Sequence, residues 1–442
     1  NTGGSLILTI PNGLHHTYTG NAVTTFELVY ENGQLLIRVR GTQSSAEVQA
    51  QISIDGGRYD VAESFKQTIA NNVTIVFDGT SSATDYNESG YALKIGETGA
   101  VGYDTVTLEN GKFYIDKAPI TLTEVSKTFD KTTEFTGAKI NFTGALNSDL
   151  LKITGNFASE HAGSQALESL AITGDNSNNY YIANTDFMGT INAKAVAEAT
   201  VSLITNSSIV YGQIKEGMSL EELLAILGNI QISIDGETVT LVNGQSDYIS
   251  ISDYTITSAV YSKNSNNLVA NSSAYTINFV LASTDYTGMN GTDGAGASGQ
   301  ITITAKALDL SGTTISKGYD GTTALPADIV WQGFDIESGD DVSVDMVRSV
   351  YAESGKGAHD ITIVLAGDDS ENYSVTDNVT GQITAITITL QVDVNENLPD
   401  GGFVDGEQNI TNGNLQIRVS YPFDEGANVG DIISSWAKPS RV

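Results

Sequence analysis

The sequence predicts a mostly β protein: a tandem array of small β-sandwich or β-grasp-like modules, at least one of which packs a single short helix on a sheet. Three observations carry this. Apolar and polar residues alternate with period two over Leu35 to Val39, Ile249 to Ile256, Val342 to Val347, Ile361 to Leu365 and Ile386 to Val392, and many of the apolar positions are β-branched. Asn-Gly and Asp-Gly pairs (Asn32-Gly33, Asn110-Gly111, Asp235-Gly236, Asn243-Gly244, Asp320-Gly321) punctuate these runs as hairpin turns do. Finally, whole blocks of sequence recur, the mark of a repeat architecture.

Composition bounds the answer. A chain of 442 residues exceeds what one core sustains, about 250 to 300 residues, so several domains are expected. Against 21 basic residues stand 53 acidic ones, a formal net charge of −32. Such a field repels phosphate backbones and anionic headgroups, which excludes nucleic acid as a partner. With 40% apolar and only 17% charged residues, and with 19 Tyr and 13 Phe, the chain has material for cores and reads as folded rather than disordered. The absence of Cys excludes disulfides, thiol nucleophiles and Cys-ligated zinc, and turns fall to 45 Gly with Asn and Asp, since Pro numbers six. No run approaches the roughly 18 apolar residues of a membrane helix, so no membrane insertion is expected in this region, and a monomer is. Asn1-Thr2-Gly3-Gly4 lacks the features of a signal peptide, so an export signal is expected to have been removed or to lie elsewhere. Leu398-Pro399-Asp400-Gly401-Gly402 has only a superficial likeness to a sortase signal, without its Thr, apolar tail or basic end.

The repeats set the boundaries. Gly followed by an alternating strand closes four segments, at Gly111, Gly189, Gly299 and Gly381. Ser126-Lys127-Thr128-Phe129-Asp130-Lys131-Thr132-Thr133 matches Ser316-Lys317-Gly318-Tyr319-Asp320-Gly321-Thr322-Thr323, and Gly174-Asp175-Asn176-Ser177-Asn178-Asn179-Tyr180 matches Gly367-Asp368-Asp369-Ser370-Glu371-Asn372-Tyr373. The hexapeptide Gln51 to Gly56 recurs unchanged at Gln231 to Gly236, and Asn412 to Val419 echoes Asn32 to Val39. Long and short segments therefore alternate: 1-118, 119-195, 196-307, 308-388, and a partial fifth module or tail at 389-442. The two short segments should share one topology.

One helix is well signalled. Ser219 stands as N-cap, Glu222 at N3 completes a capping box, Gly228 closes the end, and Leu220, Leu223, Leu224 and Leu227 form the apolar face. A weaker helix is expected over Val61 to Ile69.

The Tyr319-Asp320-Gly321-Thr322-Thr323 run, the Gly-Asp-Asp-Ser-x-Asn-Tyr block and the closing Gly-Gln-Ile-Thr strand resemble the YDG modules of large bacterial surface proteins. Val210-Tyr211-Gly212-Gln213 and Gly299 to Ala307 look like the MBG modules that accompany them. The resemblance is clearest over 119-195 and 308-388. It implies an extracellular, cell-surface array of adhesin type, and it carries no catalytic residues to transfer. Phe129 and Lys131 depart from the Tyr and Gly of the pattern, and the first long segment lacks the Tyr-Gly signature.

Candidate sites are few. The adjacent acids Asp340-Asp341 and Asp368-Asp369 read as solvated turns rather than as catalytic pairs. His15, His16, His161 and His359 lack metal-ligand spacing and read as surface or turn residues. Asp368, Asp369, Glu371 and Asn372, with Asp175, Asn176 and Asn178, offer oxygens to calcium, but Asx turns explain them better and no calcium loop is present. Trp331, aligned with Phe142 on an expected strand, reads as core rather than as a sugar platform. Lys117, Lys194 and Lys306 recur before a junction Ala and read as solvated linker lysines; intramolecular Lys–Asn crosslinking is the sharper alternative. No catalytic, cofactor or metal residue is assigned. The function expected is a non-catalytic stalk and adhesion region of a secreted or cell-surface bacterial protein, with a host or matrix glycan or glycoprotein as partner. A carbohydrate- or glycoprotein-binding array, and an accessory region of a larger secreted enzyme, are the alternatives.

Overall fold

The structure is a computed structural model that describes residues 3–41, 46–58, 61–146, 148–289, 297–376 and 378–386. The expected fifth segment, with its echo at 412–419, lies outside the described residues. The rest falls into two compact units. One reaches to Ala195 and takes in Ser283–Thr287; the other comprises Val196–Ala282 and the described residues from Gly288 onward.

In the first unit, the long stretch before Ala118 is built of strands with one helix. Ser5–Thr9 lies between a parallel Thr105–Glu109 and an antiparallel Gln51–Ile54. Leu14–Thr17 runs parallel to Lys112–Asp116, which continues to Tyr91–Thr98 and Val73–Phe77. Asn32 and Gly33, both at positive φ (50° and 80°), turn the hairpin Phe26–Glu31/Gln34–Val39, the conformation for which Asn-Gly is suited. Phe26, Phe77 and Phe113 meet edge-on in the core, at centroid separations of 4.9, 5.2 and 5.9 Å. The weaker helix is present but shifted: it spans Glu63–Asn72, without a side-chain N-cap bond, and buries Ile69.

The stretch after it turns on one long strand, Ala118–Thr128. It pairs antiparallel with Lys139–Thr143 and parallel with Met188–Asn192; the latter pairs with Gly163–Gly174, and that with Leu151–Phe157.

The second unit opens with the sheet Ala199–Ile204/Ile230–Ile234/Glu237–Leu241 and a second sheet, Ser208–Val210/Ala297–Thr304/Tyr275–Ala282/Ser250–Thr257. The strongly signalled helix spans Leu220–Leu227. Ser219 and Glu222 form the expected capping box, and Leu223, Leu224 and Leu227 are buried, while Leu220 is half-exposed. Farther on, Ile315–Gly318 runs parallel to Val379–Thr384, which pairs with Gly357–Thr362 and so with Val350–Tyr351.

The two short stretches have one register. Ser126 faces Thr190 and Lys127 faces Ile191 in one; Ser316 faces Gln382 and Lys317 faces Ile383 in the other. The same closure recurs in the long stretches, where a strand near the start runs parallel to the last strand and ends in an aromatic residue. The backbone N–H of that residue donates to the last strand: Tyr18 to Asp116 O (2.8 Å), Phe129 to Asn192 O (2.8 Å), Tyr211 to Thr304 O (2.8 Å) and Tyr319 to Thr384 O (2.9 Å). The first long stretch thus keeps the aromatic-glycine signature in a modified form, Tyr18-Thr19-Gly20, with one residue inserted and Gly20 at φ 74° beside Leu146.

Two glycine pairs explain the tight approach of loops. A Cβ at Gly144 would run into the carbonyl of Pro119 and one at Gly333 into that of Asp309; Gly174 and Gly367 face the carbonyls of Leu150 and Asp341 in the same way, and all four have positive φ.

One expectation fails here. Trp331 is half-buried on no strand, with Val330 78% exposed beside it, and Phe142, although on a strand, is also half-buried; neither is core. The Thr313 hydroxyl takes the place of the ladder. It accepts from Gln332 N (2.9 Å) and donates to Gln332 O (3.3 Å), so the sister strand's backbone pairing has no counterpart.

Candidate functional site

The repeated sequence blocks gather at two kinds of place. The first is the Ser-Lys-x-aromatic-Asp-x-Thr-Thr block. A strand pointed into the core carries Lys127 inward, and the turn after it wraps the ammonium. Lys127 Nζ donates to Asp130 Oδ1 (2.8 Å), Thr132 O (2.7 Å), Thr132 Oγ1 (2.8 Å) and Glu134 O (3.0 Å), and lies 5.7 Å from the Phe157 ring centre. Lys317 repeats it with Asp320 Oδ1 (2.9 Å), Thr322 O (2.8 Å), Thr322 Oγ1 (3.2 Å), Ala324 O (2.7 Å) and the Tyr351 ring at 5.4 Å. A buried ammonium is tolerated only when so satisfied. Burial presses the Asp130 and Asp320 carboxyls upward, but the lysine and threonine donors outweigh it and hold both below the ordinary value.

The second is a set of joints, where a turn from farther along the chain docks on the aromatic residue that ends a closure, at Tyr18, Phe129 and Tyr211. In the first unit the strand Tyr180–Ile182 lies parallel to Ala118–Ile120, and the Tyr180 ring meets Tyr18 edge-on at 5.4 Å. Both hydroxyls donate to one oxygen of buried Asp149, Tyr180 at 2.5 Å and Tyr18 at 3.3 Å, while Asn176 Nδ2 donates to the other at 2.8 Å. Asn179 receives the Tyr86 N–H (2.6 Å) and donates to Asp85 Oδ1 (2.9 Å). The second unit has the same device. Tyr373–Val375 lies parallel to Lys306–Leu308, Tyr373 meets Tyr211 at 5.4 Å, and both hydroxyls donate to Asp340 Oδ2, at 2.6 and 2.8 Å. Asn372 Oδ1 accepts the Ala270 N–H (2.9 Å), and Asp369 accepts from Ser262 Oγ and Asn264 Nδ2, each at 2.7 Å.

A third joint, also within the first unit, is a variant. Phe129 meets Tyr286 edge-on at 5.2 Å, and Tyr286 pairs with Lys194. With no hydroxyl on Phe129, the polar anchor moves: buried Asp285 accepts the Ala162 N–H (2.6 Å) and pairs with His161 Nδ1 (2.9 Å).

These bonds fix the ionisation of the joint. Burial drives the Tyr180 hydroxyl up to about 12, with Asp149 adding to it, and Tyr373 rises for the same reasons beside Asp340. For Asp149 burial acts upward, but the hydrogen bonds from Tyr180, Asn176 and Tyr18 outweigh it and keep the carboxyl below its ordinary value; Asn264, the Asp341 N–H and Ser262 do the same for Asp369.

Several expectations change accordingly. Asp340, read as part of a solvated turn, is the buried acceptor of a joint. Of the residues offered to calcium, Asp369 and Asn372 accept from protein donors and Asn176 itself donates to Asp149, and among the described residues no cluster of three or more His, Asp or Glu could hold a metal ion. His15 is the exposed residue expected, stacked on Tyr114 at 4.7 Å, and His161, half-exposed in a turn as expected, also pairs with buried Asp285; burial lowers the His16 pKa. Lys306 is no solvated linker residue; it pairs with Glu337 (2.8 Å) and Asp335 (3.1 Å), and Lys117 lies over the Tyr86 ring at 4.6 Å. Asp149, Lys127 and Lys317 were not singled out as functional residues. The two lysines carried a signal nonetheless, being unchanged between copies in which the next positions vary.

The comparisons with known proteins bear on one part of the chain. Among solved structures, Drosophila N-cadherin EC1-4 is 8% identical and aligns with a TM-score of 0.13, covering 84% of this chain and 93% of that one. The four N-terminal Ig domains of Dscam1 isoform 8.4 are 8% identical at a TM-score of 0.17, covering 85% and 97%. The S-layer protein rSbsC(31-844) is 12% identical at 0.17, covering 88% of this chain and 56% of that one. These scores carry no argument about fold or function. No curated protein matches. Residues 115–187, which hold the first lysine cage and one side of the first joint (Asp149, Asn176, Asn179 and Tyr180), match the YDG domain, a non-catalytic module of binding or surface type.

Proposed function

We propose that this chain is the non-catalytic stalk and adhesion region of a secreted or cell-surface bacterial protein, divided into modules at 1-118, 119-195, 196-307, 308-388 and 389-442. The observation that carries the reading is the repeated joint. Chemistry is not what these buried polar groups serve: each hydroxyl and carboxylate is consumed in holding one segment against another, which is what a stalk requires and a catalytic site does not. The net charge of −32 supports a solvated, self-repelling surface outside the cell, and the lack of Cys leaves stiffness to packing and hydrogen bonds. The partner proposed is a host or matrix glycoprotein or its glycan, met on a broad face.

The test is twofold. Antibody raised to the purified chain should label intact cells of the producing bacterium, and the chain should bind immobilised matrix glycoproteins or members of a glycan array. Labelling only after lysis would overturn the surface reading, and hydrolysis of a glycan or peptide by the purified chain would overturn the non-catalytic one.

A further inference from the structure

We propose that Asn87 and Asn271 are glycosylation sites, each taking a sugar on its side-chain nitrogen from a phosphate-activated donor through a glycosyltransferase. Each opens an Asn-x-Ser triplet without Pro, Asn87-Glu88-Ser89 and Asn271-Ser272-Ser273, the acceptor pattern for such a transfer. The two triplets occupy one position in the fold. The residue before the Asn is docked at a joint, the Tyr86 N–H on Asn179 Oδ1 (2.6 Å) and the Ala270 N–H on Asn372 Oδ1 (2.9 Å). After the triplet a strand begins with Tyr, Tyr91–Thr98 or Tyr275–Ala282, and the tyrosine hydroxyl donates back to the carbonyl six residues earlier, Asp85 O (2.7 Å) or Val269 O (3.1 Å). The intervening residues differ, Glu88 against Ser272 and Gly90 against Ala274, so the Asn and the Ser are what the two loops share.

The local geometry suits the chemistry. In both loops the Ser backbone N–H donates to the Asn Oδ1, at 3.0 Å for Ser89 and 2.9 Å for Ser273, which makes an Asx turn at the surface. Ser89 and Ser273 are exposed; Asn87 is half-buried, and Asn271 is exposed and bonds the Tyr275 hydroxyl. The bond to Oδ1 holds the amide by its oxygen and draws electron density from it, which acidifies the Nδ2–H. In the transfer, Nδ2 gives one proton to an enzymic base and bonds to the anomeric carbon, while the bond from that carbon to the phosphate oxygen breaks and the phosphate leaves with the electron pair. The turn itself uses only a backbone N–H, which every residue but Pro supplies, so it makes no demand on the serine hydroxyl that both loops retain. The other Asn-x-Ser/Thr triplets among the described residues are committed elsewhere. Asn72 Nδ2 donates to Thr68 O (2.9 Å), Asn141 Nδ2 to Glu124 Oε2 (2.7 Å) and Asn206 Nδ2 to Ile226 O (2.9 Å). Asn372 is buried in its joint, and the triplet of Asn378 runs into the strand Val379–Thr384.

This inference goes beyond the stalk reading and stands whether or not the chain adheres. The test is the mass of peptides from the full chain, purified from the cells that produce it. Peptides holding Asn87 and Asn271 should carry sugar, and those holding Asn72, Asn141 and Asn206 should be bare. A lone hexose would point to a sugar nucleotide as the donor, a uniform oligosaccharide to a lipid-linked one. In the same cells Ser89→Ala should abolish the sugar at Asn87 and leave that at Asn271, whereas Ser89→Thr should keep both. Both variants preserve the backbone N–H of the turn, so a role in folding alone would not separate them. Bare Asn87 and Asn271 in the chain from those cells, or sugar at Asn87 undiminished by Ser89→Ala, would overturn the proposal.

Discussion

Asp340 takes hydrogen bonds from two tyrosine hydroxyls at once, so its removal leaves two buried donors to find new partners. Asp340→Ala should cost the second unit about 2–4 kcal/mol, the usual loss for charge-assisted bonds in a buried site. Hydrogen exchange on the full chain reads this directly: protection should fall around Tyr211 and Tyr373 and stay unchanged around Tyr18 and Tyr180. An equal fall in both units would count against independent joints. The same residues set the pH range. Asp149 and Asp369 lie below their ordinary 3.8 when folded, so their contribution is complete above that pH and is lost as pH falls through the folded values. Tyr180 lies above its ordinary 10.0, at about 12, so its contribution is complete below pH 10 and disappears as pH rises through the folded value. Melting temperature against pH should show a plateau between these limits, and Tyr180→Phe should remove part of the alkaline fall. A chain equally stable at pH 2 and pH 7 would contradict the acid half.

At the level of elements, the helix Leu220–Leu227 was legible because its signals are local: a cap, a box, an apolar face and a closing Gly228 at φ 71°. Leu223→Ala should cost about 2–5 kcal/mol, since the side chain is fully buried, whereas Ser219→Ala should cost about 0.5–2 kcal/mol through the cap alone. Urea unfolding measures both, and a loss well under 1 kcal/mol for Leu223→Ala would refute the packing. The helix Glu63–Asn72 was placed early because no cap marks its start; Ala62 supplies none. Strands were legible as alternation, but alternation names no partner, so the parallel pairing of early and last strands could not be read. The joints were missed for a related reason. Asp149 and Tyr18 are 131 residues apart, and only the fold brings them to 3.3 Å. Repetition held the clue in the Asn-Tyr blocks, Asn179-Tyr180 and Asn372-Tyr373, yet a repeated polar turn reads the same whether it caps a hairpin or docks on a neighbour. Val330-Trp331-Gln332 misled because a strand in one copy need not be one in the other when a single threonine hydroxyl can substitute for its ladder.

For the whole molecule, the commitment of Asp369 and Asn372 to protein donors predicts that calcium and chelator leave the melting temperature unchanged. A calcium-dependent rise above about 10 °C, equivalent to several kcal/mol of binding linkage, would restore the Asp-rich turns as ligands. The closure shared by the four segments has a mechanical meaning as well. Where a strand near the entrance of a segment lies parallel to the strand at its exit, tension on the two ends drags them in opposite directions along their common axis. The ladder bonds at Ser126–Thr190 or Ser316–Gln382 are then loaded together in shear instead of being peeled open in turn, and the caged lysines sit beside those registers. A chain pulled by a flow or by a tethered cell would meet its greatest resistance at the strands that carry the repeated Ser-Lys blocks.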